Sequence, residues 1–192
     1  MAILNKEYFE NKNSWLKLLE NEKNEDAFEL YFEKLMPAII PLIKDRVGSL
    51  PKYNGLISLL GFTPETSVLA FKCLSPSKLV VLHTPETSKY LDTVLHKSNI
   101  SVSSFFHEPF QHDESHIDDI YLALKKALNR FNPGDRIAIE LTGGKKTMGA
   151  QLSIAAGVLE QNSGFKIDVC YIDYDKYLPQ FRKPDLNLRD YY

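Results

Sequence analysis

The sequence predicts an α/β protein with a doubly wound, mostly parallel sheet, helices on both faces and an N-terminal helical extension. Three observations predict this fold class. From Gly55 onward, short apolar runs alternate with helical patterns, the runs are apolar at successive residues, and turn-forming residues separate them. Strands that are apolar on both faces are typical of parallel sheets covered by helices, and right-handed crossovers then wind the chain around the sheet.

Residues 1–50 form the predicted helical extension, and residues 51–192 form the α/β domain. From Lys6 to about Ile43, apolar residues recur three and four positions apart with glutamate and lysine between them. Pro37, Pro41 and then Gly48 predict the end of this section. We expect these helices to pad the fold or to form a dimer contact.

The α/β domain is predicted to contain five strands, Leu56–Phe62, Lys78–His83, Ile100–Phe106, Arg136–Leu141 and Lys166–Tyr174. Helices are expected between them, ending near Phe71 and Lys97 and covering Asp113–Phe131 and Thr147–Gln161. A Rossmann-like sheet of this kind binds ligands beyond the carboxyl ends of its strands, where the chain changes direction. The polar tail from Asp175 to Tyr192 is expected to add an edge strand or to wrap the surface.

Length and composition limit the classes of protein. A chain of 192 residues with 44% hydrophobic and 25% charged residues suits one globular domain with a small appendage. The net charge of −2 provides no general basic field for duplex nucleic acid or a membrane surface. Met1–Glu10 lacks a signal pattern, and Leu35–Ile43 is too short to span a bilayer, so we expect a cytoplasmic protein with reduced thiols at Cys73 and Cys170.

The loop after the fourth predicted strand carries the strongest chemical signal. Two glycines permit positive φ and a close approach of backbone N–H groups to a phosphate. A helix follows at once, and two lysines add charge at its N-terminal end. The loop matches neither a Walker loop nor the dinucleotide fingerprint, and a tight turn with solvated lysines is the structural alternative. The candidate ligand-binding residues here are Thr142, Gly143, Gly144, Lys145, Lys146, Thr147 and Met148.

The loops after the first and second strands share the string Thr-Pro-Glu-Thr. In the first, Thr63 is predicted to cap a helix that has Pro64 in its first turn. Capping alone explains each loop, but both are expected to open at the same sheet edge as the glycine-lysine loop. The further candidate ligand-binding residues are Phe62, Thr63, Glu65, Thr66, Thr84 and Thr87.

These motifs resemble the CRISPR-associated Rossmann-fold (CARF) family. Thr142-Gly143-Gly144-Lys145-Lys146, between a strand and a helix, is similar to that family's Thr-Gly-Gly-Thr-Lys, and the glycine-led loop after the first strand is a softer match. The resemblance covers about Gly55 to Tyr174. Two features depart from the family pattern: Lys145 stands where threonine is usual, and about fifty residues precede the first strand.

The resemblance implies a sensor of cyclic oligoadenylate, with cyclic tetra-adenylate as the expected ring, in a type III CRISPR antiviral system. Thr142 to Lys146 would hold ligand phosphate and ribose, and Phe62 to Thr66 would line the opposite wall. An even-sized ring has two-fold symmetry, so we expect a homodimer that relays ligand binding to an effector domain or protein. No cofactor and no metal are expected.

Two other functions stay open at this point. A ring nuclease would cleave the ligand without metal by attack of a ribose 2′-hydroxyl, with Lys146 stabilising charge and Thr63, Thr142 or Thr147 orienting the ribose. A metabolic nucleotide-binding α/β enzyme is the second alternative, although no acid-base pair or cofactor fingerprint supports it. His107, His112 and His116 fit no familiar zinc spacing and are interpreted as surface or capping residues.

Overall fold

The computed structural model describes residues 6–110 and 117–172, which fall into two compact units, residues 6–49 and residues 50–172. The polar tail from Asp175, the end of the predicted fifth strand and the start of the predicted helix at Asp113 lie outside the described residues. Within the described ranges, no helix has the combination of length and apolar character that crossing a bilayer requires.

The first unit is helical, as predicted. It contains α1 (Lys6–Glu20), α2 (Asn24–Leu30), a π-helical turn (Tyr31–Leu35) and α3 (Met36–Val47). The helical section runs past the prolines, since Pro37 lies in the first turn of α3 and Pro41 lies inside it. It ends at Gly48, whose φ of +74° favours glycine.

The second unit is an α/β domain with a five-stranded sheet. Its strands are β1 (Gly55–Leu59), β2 (Lys78–His83), β3 (Phe105–Pro109), β4 (Arg136–Glu140) and β5 (Lys166–Cys170). Its helices are α4 (Glu65–Leu74), α5 (Leu91–Ser98), α6 (Ile117–Leu128) and α7 (Lys146–Ser163), with 3-10 turns at Ser88–Tyr90 and Val102–Ser104. All strand pairs are parallel and the order is β3-β2-β1-β4-β5, so the predicted Rossmann-like fold class is confirmed.

Helices cover the sheet on both faces. On one face, alternate strand residues such as Ile57, Val80 and Ile139 form a continuous buried core with apolar residues of α6 and α7. On the other face, α4 packs on β1 and contacts α5, and the Ser67 hydroxyl of α4 lies 2.7 Å from that of Ser58 in β1. The central strands are buried on both sides, which explains why they read as apolar runs.

Several strand boundaries differ from the prediction, among them the end of β5, which lies at Cys170. The third strand, predicted at Ile100–Phe106, begins only at Phe105, which pairs with Leu79 of β2. The apolar Val102 in the predicted strand belongs to a 3-10 turn and is 76% exposed. The first strand ends at Leu59 instead of Phe62, because the next residues form a loop against the end of β4.

Candidate functional site

The loops after β1 and β4 meet at the point where the strand order reverses. β1 lies between β2 and β4, so its carboxyl end is the switch point of the sheet. A Cβ atom added to Gly61 would lie 1.4 Å from the carbonyl oxygen of Gly143, and one added to Gly143 would lie 2.1 Å from that of Leu59. The two loops therefore touch backbone to backbone, and the sequence-predicted residues of both lie at one edge.

The glycines of the β4 loop have a different role from the one predicted. Neither Gly143 nor Gly144 has a positive φ. Both are needed because a side chain would collide with β1: a Cβ at Gly144 would lie 2.2 Å from Cδ2 of Leu59. The expectation of left-handed backbone is wrong, and the close contact that these glycines make in the structure is with β1 and its loop; their approach to a phosphate stays a prediction.

The N-terminus of α7 opens at this same edge. Lys145 precedes the helix in an extended conformation, with φ −62° and ψ 150°, and provides no side-chain cap. The first intrahelical hydrogen bond runs from the Gly149 amide to the Lys145 carbonyl, so the amides before it point out of the helix end. Lys145, Lys146 and Thr147 are exposed, while the Met148 side chain is buried in the core. The helix end and the two lysines therefore favour an anion at this position.

A buried carboxylate holds the β4 loop from below. Glu140, the last residue of β4, is fully buried, and its Oε1 accepts a hydrogen bond of 2.5 Å from the Thr142 amide. Its Oε2 accepts a bond of 2.8 Å from the Ser58 hydroxyl, which in turn lies beside Ser67 of α4. The Thr142 hydroxyl accepts a bond of 2.8 Å from the Ile172 amide. This network ties β1, β4, α4 and the segment after β5 to the turn that carries the lysines.

Burial raises the pKa of Glu140, and the hydrogen bonds from Thr142 and Ser58 oppose this shift because they stabilise the charged form. The carboxyl has no exposed surface and its two oxygens already accept hydrogen bonds. Glu140 therefore acts as a structural cap of the loop. Sequence reasoning missed Ser58, whose only signal is a hydroxyl within an apolar strand.

The β1 loop presents one exposed ring and one buried carboxyl. Phe62 is 60% exposed and Thr63 is partly buried, whereas Glu65 and Thr66 are buried at the start of α4. The predicted cap at Thr63 is wrong, because Pro64 occupies the N-cap position without a side-chain bond. The Thr63 carbonyl instead accepts the Thr66 amide and hydroxyl, at 3.3 and 3.0 Å, as in the first turn of a helix.

The β2 loop has its hydroxyl groups turned inward. Thr84 and Thr87 are 8% and 3% exposed, and each accepts the amide of the other through its side-chain oxygen, at 3.3 and 3.0 Å. These reciprocal bonds are those of a capped turn. The turn lies beside the β1 loop at the carboxyl edge, but its threonine hydroxyls are engaged in the turn itself.

A histidine pair lies farther along the same edge. Nε2 of His83, at the end of β2, is 3.1 Å from Nδ1 of His107 in β3, and His83 Nδ1 donates to the Thr84 carbonyl at 3.0 Å. Burial lowers the pKa of His83, so the neutral ring is favoured. His112 and His116 lie outside the described residues. No group of three potential metal ligands occurs within residues 6–110 and 117–172.

The amino-acid sequence of the chain is similar to that of a known protein. The chain is 31% identical over 158 residues to the CRISPR system endoribonuclease Csm6 of Thermus thermophilus. The matched region is 81% of this chain and 32% of that relative, so the chain spans about a third of the relative's length. No family model matches the chain. The chain is therefore similar in sequence to one part of a CRISPR system protein.

Proposed function

We propose that this chain is a cyclic oligoadenylate sensor of the CARF type in a type III CRISPR antiviral system. It would act in the cytoplasm as a homodimer that relays ligand binding to an effector domain or protein. The observation that carries the proposal is the start of α7 with Lys145 and Lys146 at the switch point of a Rossmann-like sheet, beside the touching β1 loop. The similarity to Csm6 supports the CRISPR context.

The site suits a phosphodiester ligand for physical reasons. The outward amides of α7 and its positive dipole end stabilise negative charge, and each lysine adds a donor with full charge. The network around Glu140 fixes the turn, so little conformational entropy is lost when an anion binds. Because the net charge of the chain is −2, the protein as a whole does not attract an anionic ligand, and the attraction must come from the lysines at this site.

The second copy in the proposed homodimer would contact the outer face of α7. From Thr147 to Leu159 this helix has no charged residue. Its exposed apolar side chains are Ile154, at 59%, and Val158, at 45%, four residues apart on one helix face. A two-fold axis along this face would bring two α7 N-termini and two lysine pairs to one symmetric ring.

Thermal unfolding with a panel of rings tests the proposal. Cyclic tri-, tetra- and hexa-adenylate are compared with linear tetra-adenylate, all at one concentration, a hundred times the dissociation constant of the ring that binds most tightly. Bound ligand at that excess adds about 2.7 kcal/mol to the stability of the folded state. We expect a rise in Tm with one cyclic ring and a smaller rise with the linear form. No shift with any ring would reject the sensor function.

A ring nuclease is the second candidate, because the same cationic site suits cleavage. The ribose 2′-oxygen would lose its proton to water and form a bond to the adjacent phosphorus while the bond from phosphorus to the 5′-oxygen breaks. The products are a 2′,3′-cyclic phosphate and, after the 5′-oxygen takes up a proton from water, a 5′-hydroxyl. Lys146 would stabilise the developing charge and Thr63 would orient the ribose. Linear products after incubation of saturating protein with the ring and EDTA would establish this activity, and an intact ring would reject it.

A further inference from the structure

The corner between β1 and α4 contains a carboxyl group with an unused hydrogen-bonding position. Glu65, the first residue of α4, is 3% exposed. Its Oε2 has no hydrogen-bond partner among the described residues. Buried polar groups in folded proteins are nearly always paired, because an unpaired one loses its bonds to water without replacement. Oε2 of Glu65 could therefore accept a hydrogen bond from a donor outside the described part of the chain.

Within residues 6–110 and 117–172, no charged side chain compensates the burial of Glu65. Burial raises the pKa of Glu65 to about 7, and the only opposing influence is a hydrogen bond from its own backbone amide. That amide occupies one side of the carboxyl group, and Oε2, which is buried, is the oxygen left without a partner among the described residues. Neither a salt bridge nor a side-chain donor accounts for the presence of this acid at the start of α4.

The position of Glu65 relative to the β4 loop, which leads to Lys145 and Lys146, indicates which group of the ligand would donate a hydrogen bond to Oε2. The β1 loop touches the β4 loop through Gly61 and Gly143, so a phosphate bound at the start of α7 would be next to the loop that leads to Glu65. The group bonded directly to that phosphate is the ribose. Beyond it, the ring of Phe62 is 60% exposed and provides an aromatic surface on which a base can stack.

We propose that Glu65 is the acceptor of a ribose 2′-hydroxyl, and that the β1–α4 corner thereby selects ribonucleotide rings over their 2′-deoxy forms. A hydroxyl donor satisfies the unpaired oxygen without adding charge to a buried position, as acidic residues do for ribose in other doubly wound folds. The side chain has three rotatable bonds, so the carboxyl can change rotamer when a ring binds. The inference rests on the proposed sensor function and extends it to ligand selection.

Calorimetric titration with two ligands and three variants tests this selection. The ligands are cyclic tetra-adenylate and the same ring with 2′-deoxyribose. Glu65→Met removes the acceptor at similar size, and Glu65→Gln keeps an acceptor oxygen. Glu86→Gln is the matched control, because Glu86 occupies the same place in the second Thr-Pro-Glu-Thr string and is exposed.

We expect the deoxy ring to bind the wild type and Glu86→Gln about 10-fold or more weakly than the ribose ring, as for one lost hydrogen bond to a charged group. Glu65→Met should lose the same factor for the ribose ring and show no further loss for the deoxy ring, while Glu65→Gln should retain discrimination. The inference would be overturned if the affinity losses from Glu65→Met and from the 2′-deoxy ring multiplied when combined. It would also be overturned if Glu65→Met still preferred the ribose ring over the deoxy ring by the wild-type factor. Absence of binding by the wild type to either ring would instead reject the sensor function.

Discussion

Substitution of Gly143 by alanine perturbs the contact that holds the two site loops together. The new Cβ would lie 2.1 Å from the Leu59 carbonyl oxygen and 2.9 Å from the Gly61 amide nitrogen, where ordinary contact begins at 3.4 Å. β1 is hydrogen-bonded on both sides, to β2 and β4, so the loop must move by more than 1 Å instead. We expect a destabilisation of about 1–3 kcal/mol, as for an overpacked core position, together with weaker anion binding.

Urea unfolding and ligand titration measure the two effects in the same variant. Gly149→Ala is the matched control, because it lies in the first turns of α7 and its added Cβ would meet atoms only at 3.6 and 3.7 Å. Helix propensity predicts that this control gains up to about 1 kcal/mol. If Gly143→Ala retained wild-type stability and ligand affinity, the close contact between the loops would be refuted as the reason for the glycine.

Three further predictions address the cation, the buried acid and the dimer. Lys146→Ala should weaken binding of the cyclic ring by about 1.5–3 kcal/mol in calorimetry, whereas Lys166→Ala, at the opposite edge of the sheet, should leave it unchanged; equal losses would indicate a general charge effect. Because burial raises the pKa of Glu65 from 4.5 to about 7, the folded state holds this proton more tightly than the unfolded state, and stability should fall as pH rises between these values. Glu65→Gln should remove up to about 3 kcal/mol of this fall in urea unfolding at pH 5 and pH 8, and an unchanged pH profile would contradict the shift. Ile154→Glu should convert the dimer to a monomer in light scattering at micromolar concentration, while Val102→Glu, also on an exposed apolar residue, should not; dimers in both variants would exclude the α7 face.

The central part of the fold was predictable because its strands are buried on both sides. The runs at β1, β2 and β4 are apolar at most successive residues, which is the pattern of strands buried on both faces. The edge strand β3 is only partly buried, so its residues give a weaker signal. There the neighbouring Ile100 and Val102 are equally apolar, and only pairing with β2 decides where the strand begins.

The placement of the candidate loops at one edge of the sheet was predictable, but the contacts between them were not. A glycine pair and a lysine pair between a strand and a helix indicate an anion-binding turn from local sequence alone. The network of Glu140 with Ser58 joins residues 82 positions apart, and the contact of Gly61 with Gly143 depends on the parallel pairing of β1 and β4. These contacts arise from tertiary structure, so they cannot be predicted from the spacing of residues along the chain.

The most direct test of the account is the stoichiometry and affinity of cyclic tetra-adenylate binding, measured by calorimetry on the wild type and on a variant with both Lys145 and Lys146 changed to alanine. The account predicts saturable binding of one ring per two chains, and a loss of at least 10-fold in affinity in the double variant, with its unfolding midpoint unchanged. Binding of equal strength in the two proteins would contradict the assignment of the ligand to the start of α7.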